Sequence, residues 1–118
     1  MPTNHFISMK DASELTSRLR QMREQILDPN YRGMNVIPIC ETFDRAAFDQ
    51  VLQQDGCTGI RIYMGMEENN QLVFVVVGVN DDNEDIITAT SNDDNDNEIF
   101  ENGVRCPLYC PPSSPINT

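Results

Sequence analysis

A chain of 118 residues, 39% hydrophobic and 23% charged, has the length and composition of one globular domain and no room for a second ordinary core. Nineteen acidic residues against eight basic ones leave a net charge of −11. That balance argues against nucleic-acid binding, which needs clustered Lys/Arg to displace phosphate counterions, and against anionic membrane surfaces; it fits a basic protein partner, a DNA-mimicking role or plain solubility.

The first residues, Met1-Pro2-Thr3-Asn4-His5-Phe6, have neither the basic nor the apolar region of a signal peptide, and no run approaches the ~18 apolar residues that span a bilayer. The expected location is therefore cytoplasmic. Four cysteines in that compartment are expected as reduced thiols or metal ligands rather than disulfides.

The elements follow in chain order. Ser8 starts a helix, with Asp11 three residues on in a variant capping box. Ala12, Leu15, Leu19, Met22 and Ile26 alternate in steps of three and four, so one apolar stripe predicts a helix over 9–27. Asp28-Pro29 ends it, because the residue before proline avoids the α region. The stripe spans under three heptads, which favours packing on a sheet over a dimer seam. Residues 34–40 read as a short strand that Pro38 confines to an edge or interrupts. Thr42 caps a second helix over 43–54, with Phe43, Ala47, Phe48, Val51 and Leu52 on its buried face and Gly56 as a left-handed stop.

Residues 58–66 alternate as a strand, Ile60, Ile62 and Met64 to one side, Gly59, Arg61 and Tyr63 to the other. Glu67-Glu68-Asn69-Asn70 makes a hairpin loop, and the apolar run over 71–79 returns as a central strand buried on both faces. Residues 86–90 and 99–104 are candidates for further short strands. The fold predicted is a single α+β domain over 1–118: an antiparallel sheet of three to five strands with two amphipathic helices on one face. Residues 1–7 and 113–118 are expected as flexible ends, and 91–98, without an apolar residue, as a mobile acidic loop.

Little of the chain carries recognisable chemistry. Neither acidic stretch fits a calcium-binding loop: read from Asp93, the required Gly and Glu fall on Glu98 and Val104; read from Asp81, on Ile86 and Asn92. One histidine, His5, leaves no Cys–His or Ser–His pair in ordered sequence, and no three glycines have phosphate-loop spacing. Cys106 and Cys110 form one close pair between prolines, and Cys57 is a further candidate ligand to zinc; without a second close pair, free cysteines are favoured over a metal site. A Cys106–Cys110 disulfide is open to the chain in an oxidising compartment. Arg61 and Tyr63 share a strand face. The arginine can hold a carboxylate or phosphate of a ligand bidentately, or pair with an acid of this acidic chain while Tyr63 packs, and the second is favoured.

Three segments in this order, Gly56-Cys57-Thr58-Gly59-Ile60-Arg61-Ile62-Tyr63, Val77-Gly78-Val79-Asn80 and Cys106-Pro107-Leu108-Tyr109-Cys110-Pro111, resemble a family of small uncharacterised bacterial proteins. The resemblance implies two helices, a hairpin with an Arg-x-Tyr strand and a Cys-Pro end, with Arg61, Tyr63, Cys57, Cys106 and Cys110 belonging together. It implies no activity, substrate or cofactor. Three functional readings follow: a non-enzymatic acidic interaction or accessory protein, which the missing catalytic machinery favours; a small zinc domain on the cysteines; or a small-molecule binder or enzyme centred on Arg61 and Tyr63.

Overall fold

The computed structural model describes residues 4–87 and 98–118. The fold is α+β, as expected from sequence: α1 (Met9–Met22), β1 (Cys40–Thr42), α2 (Arg45–Leu52), β2 (Gly59–Met66), β3 (Leu72–Val79), β4 (Ile99–Phe100) and β5 (Val104–Cys106). The strands form two antiparallel sheets, one of three strands in the order β2-β3-β4 and one of β1 and β5. Two compact units result, Met1–Cys40 with Arg105–Thr118, and Glu41–Val104, and the division passes through β1 and β5.

Glu41–Val104 is built on the β2–β3 hairpin, paired in register from Gly59↔Val79 to Met66↔Leu72. Glu67 N–H donates to Gln71 O at 3.0 Å and Asn70 N–H to Glu67 O at 2.9 Å, and Asn70 adopts a positive φ of 69°. This is a three-residue loop closing with a left-handed residue, a role Asn fills with little steric cost. β3 is the central strand, and Val73, Val76, Val77 and Val79 are buried, on both of its faces. Helix α2 lies on β3, with Val51 fully buried. Gly78 permits this approach: a Cβ there would lie 2.9 Å from Gln54 Oε1, 3.0 Å from Cys57 Sγ and 3.1 Å from Val51 Cγ1. The helix is shorter than the 43–54 expected and its N-cap is Asp44, not Thr42, because Thr42 is drawn into β1. Gly56 does take the left-handed conformation, at φ 79°.

In Met1–Cys40 with Arg105–Thr118, Ser8 caps α1, its Oγ accepting from Asp11 N–H at 3.0 Å. The helix ends at Met22 rather than 27, and the next residues are turns. The Arg32 guanidinium donates to the carbonyls of Glu24, Gln25 and Leu27, satisfying acceptors left open where the ladder stops. No residue of α1 is buried, and Leu15, Leu19 and Met22 stay exposed. The helix instead binds the chain end through its polar side: Ser13 Oγ donates to Pro115 O at 3.0 Å, and Arg20 to Ile116 O at 2.7 Å and Thr118 O at 3.0 Å. Residues 113–118, expected to be loose, are thus hydrogen-bonded to a helix.

The strand expected over 34–40 is a correction. Only Cys40 of that segment is extended in a ladder, since Asn35 turns left-handed at φ 54° and breaks the run. Of the strand expected over 86–90, Ile86 bonds to the end of β3, next to Asp85, which bridges Val79 just before the expected start; 88–90 lie outside the described residues, as does the acidic loop except for Glu98. Among the described residues no helix is long and apolar enough to cross a membrane.

Charge follows the same division. Glu41–Val104 carries 15 acidic and two basic residues, and the remainder of the chain four acidic and six basic.

Candidate functional site

The two faces of β2 differ in kind. Cross-strand pairing sets Arg61 and Tyr63 beside Val77 and Val75 on one face, and Ile60, Ile62, Met64 and Met66 beside Gly78, Val76, Phe74 and Leu72 on the other.

The polar face is completed by the turn after β3. Asn80 N–H donates to Glu84 O at 3.1 Å and Asn83 N–H to Asn80 O at 3.0 Å, with Asn83 at φ 63°. The Asn80 side chain reinforces the turn, its Oδ1 accepting from the N–H groups of Asp82 and Glu84 at 3.0 Å each. The turn repeats the geometry of the hairpin loop and returns Asp85 to a bridge opposite Val79. Asp85 therefore arrives on the face that carries Arg61 and Tyr63. Arg61 Nη1 donates to Asp85 Oδ1, Tyr63 Oη to Asp85 Oδ2 at 2.6 Å, and Arg61 Nη2 to the side-chain oxygen of Asn83 and to its carbonyl at 3.2 Å.

Each oxygen of Asp85 has its own donor. The Tyr63 hydroxyl, with Arg61 beside it, holds the Asp85 carboxyl below the ordinary carboxylate value. The same bonds to Asp85 raise Tyr63 and Arg61 above theirs. All three shifts lead away from neutral pH, opposite to what a general acid or base working there requires. The arrangement clasps the 80–85 turn to β2, with the guanidinium spent on Asp85 and Asn83.

The apolar face is open. Ile62, Met64 and Met66 are exposed, Met64 at 76%. Beside them lies a concavity of about 240 Å³ lined by Glu41, Phe43, Phe48, Ile62, Phe74 and Val76. Its floor is held by three edge-to-face rings: Phe43 and Phe48 meet Phe100 at 5.1 and 4.9 Å and one another at 6.2 Å. Glu41 Oε2 accepts from Phe74 N–H at 3.0 Å. Gly103 lets Glu41 and Phe43 sit there, since a Cβ would fall 2.5 Å from Glu41 Cγ and 2.8 Å from Phe43 Cε1.

The cysteines correct one expectation. Cys106 and Cys110 are not free thiols: their Cα atoms are 4.5 Å apart, within disulfide reach, and the sulfurs are bonded. Each sulfur has the other as its partner, so neither is a thiolate ligand in this state. Cys57 belongs to the other unit, and its Sγ lies 3.3 Å from Gly59 O as a hydrogen-bond donor. Among the described residues no group of three His, Cys, Asp or Glu is placed to hold a metal ion.

Of the residues read from sequence, Arg61 and Tyr63 are brought together, as are Cys106 and Cys110. Asp85, Asn83 and the concavity under Ile62 were not foreseen. The signal for Asp85 lay in the Asn-spaced turns: placing Asn83 as Asn70 is placed returns Asp85 opposite Val79, on the face that carries Arg61. No family model, curated protein or solved structure matches the chain.

Proposed function

We propose that the chain is a non-enzymatic acidic interaction protein that binds a basic protein partner through Glu41–Val104. The observation that carries this reading is the charge of that unit, 15 acids against two bases. Both bases are already paired, Arg61 with Asp85 and Arg45 with Asp49 at 3.4 Å. An approaching cation therefore meets carboxylates and no unneutralised basic side chain of this unit. Such a field steers a basic partner and sets its rate of encounter. The clasped Arg61–Tyr63–Asp85 cluster, with its shifts away from neutral pH, supports a binding role over acid–base chemistry.

The test is an amide chemical-shift titration of the whole chain at low salt, with nine-residue oligolysine and oligoglutamate as probes. Saturable oligolysine binding that weakens as salt rises, with shifts confined to 41–104, is expected. No oligolysine binding, or shifts centred on α1, would end the proposal.

A further inference from the structure

The geometry points to β2 as a docking edge: we propose that it takes an extended basic segment of another protein as an added strand, with that segment's apolar side chains set against Ile62, Met64 and Met66. This inference rests on the acidic-binding reading above and adds where and how the partner sits.

The sheet order leaves β2 at a margin, and no described residue makes a backbone hydrogen bond to its outer side. The hairpin bond Glu67 N–H to Gln71 O fixes which backbone groups turn inward. By alternation, odd-numbered residues of β2 bond to β3, and Ile60, Ile62, Met64 and Met66 aim N–H and C=O outward. Exposed edges in natural sheets are blunted by proline, lysine or inward charge. β2 contains no Pro or Lys, and its one charged side chain, Arg61, is folded onto Asp85. What remains is a row of backbone groups that no described residue pairs, beside an exposed apolar face.

Charge selects the occupant. A second copy pairing edge to edge would bring two such acidic units together, at a repulsive cost. A segment alternating apolar and basic residues meets the opposite field. It also finds Glu67 and Glu68 at the end of the strand and Glu41 in the wall of the concavity. Main-chain bonds supply affinity, and the alternate apolar side chains entering beside Met64 and the concavity supply selectivity.

The experiment compares two nine-residue peptides of equal composition, one with Val and Lys alternating and one with all valines in a block, titrated against the wild type and Met64→Lys. Met64 is exposed, so this substitution leaves the fold intact, and circular dichroism checks it. The alternating peptide is expected to bind about tenfold more tightly than the block peptide, to slow exchange of the Ile62 and Met64 amides, and to lose about tenfold on Met64→Lys. Equal affinity of the two peptides, or no effect of Met64→Lys, overturns strand addition while leaving the acidic-binding reading intact. Failure of both peptides together with oligolysine overturns that reading as well. Ile62 and Met64 amides already protected in a free protein that sediments as a dimer assign the edge to a second copy, and also overturn the inference.

Discussion

The two units of this chain are stabilised by different means. Among the described residues, Glu41–Val104 holds five of the seven buried apolar ones, Val51, Val73, Val76, Val77 and Val79. The other unit buries Val36 and Cys106 and leaves its helix stripe in water. It is held by a disulfide and by arginines reaching carbonyls: Arg20 to the chain end, Arg23 to Ile37 O at 2.7 Å, Arg32 to the turns after α1. An amphipathic pattern is thus a statement about what a segment can bury. Whether it does depends on what the rest of the chain offers as a partner.

The contrast can be broken in three ways. The largest effect falls on the valine core: Val76→Ala removes methyl groups from a site with no solvent exposure and should cost about 2–3 kcal/mol in urea unfolding. A loss below about 1 kcal/mol would show that burial is not what holds that unit. Next is the disulfide. Reduction, or Cys110→Ser, should lower stability by about 2 kcal/mol, the loop-entropy value for so short a closure. It should speed exchange of the Ile39 amide, which donates to Cys106 O at 2.6 Å, and spare Val76 and Val77. Equal loss of protection in both units would erase the distinction.

The smallest effect sharpens the comparison from the polar side of β2. Asp85 is held below its ordinary 3.8, so its contribution is complete above that pH and fades as pH falls through the lowered value. Tyr63 is raised above its ordinary 10.0, so its contribution is complete below that and fades as pH climbs through the raised value. A phenolate titration taken as the difference between wild type and Tyr63→Phe should therefore run above pH 10, and Asp85→Asn should move it down. No movement would mean that Asp85 does not hold the phenol.

What was legible in the sequence was what periodicity and turn chemistry decide locally. The β2–β3 hairpin, α2 and the left-handed Gly56 lie within a few residues of where alternation, spacing and glycine place them. The segment 34–40 was not legible, because a single left-handed Asn35 overrides a run of extended-favouring residues. The pairing of Arg61 with an acid was legible as a preference. Its partner, one among several acids over 81–85, needed the turn register fixed by Asn83. The fate of the α1 stripe was the least legible. It depends on surfaces far away in sequence, and no local rule states that they will be absent.

Glu41 has a consequence for assembly. Asn102, at φ 68°, bends the chain away after β4, and the Glu41 carboxylate takes the Phe74 N–H that a longer β4 would have met. With Phe100 opposite Val76 and Ile86 bonded to Gly78 O, that side of β3 is closed by the molecule itself. The sheet's opposite flank is β4, two residues long, too short a template for a further strand, so a newcomer pairs along β2 and growth then stops. Fibre growth needs two receptive flanks, so a side chain placed far from β2 is what makes an unguarded margin there compatible with a finite complex.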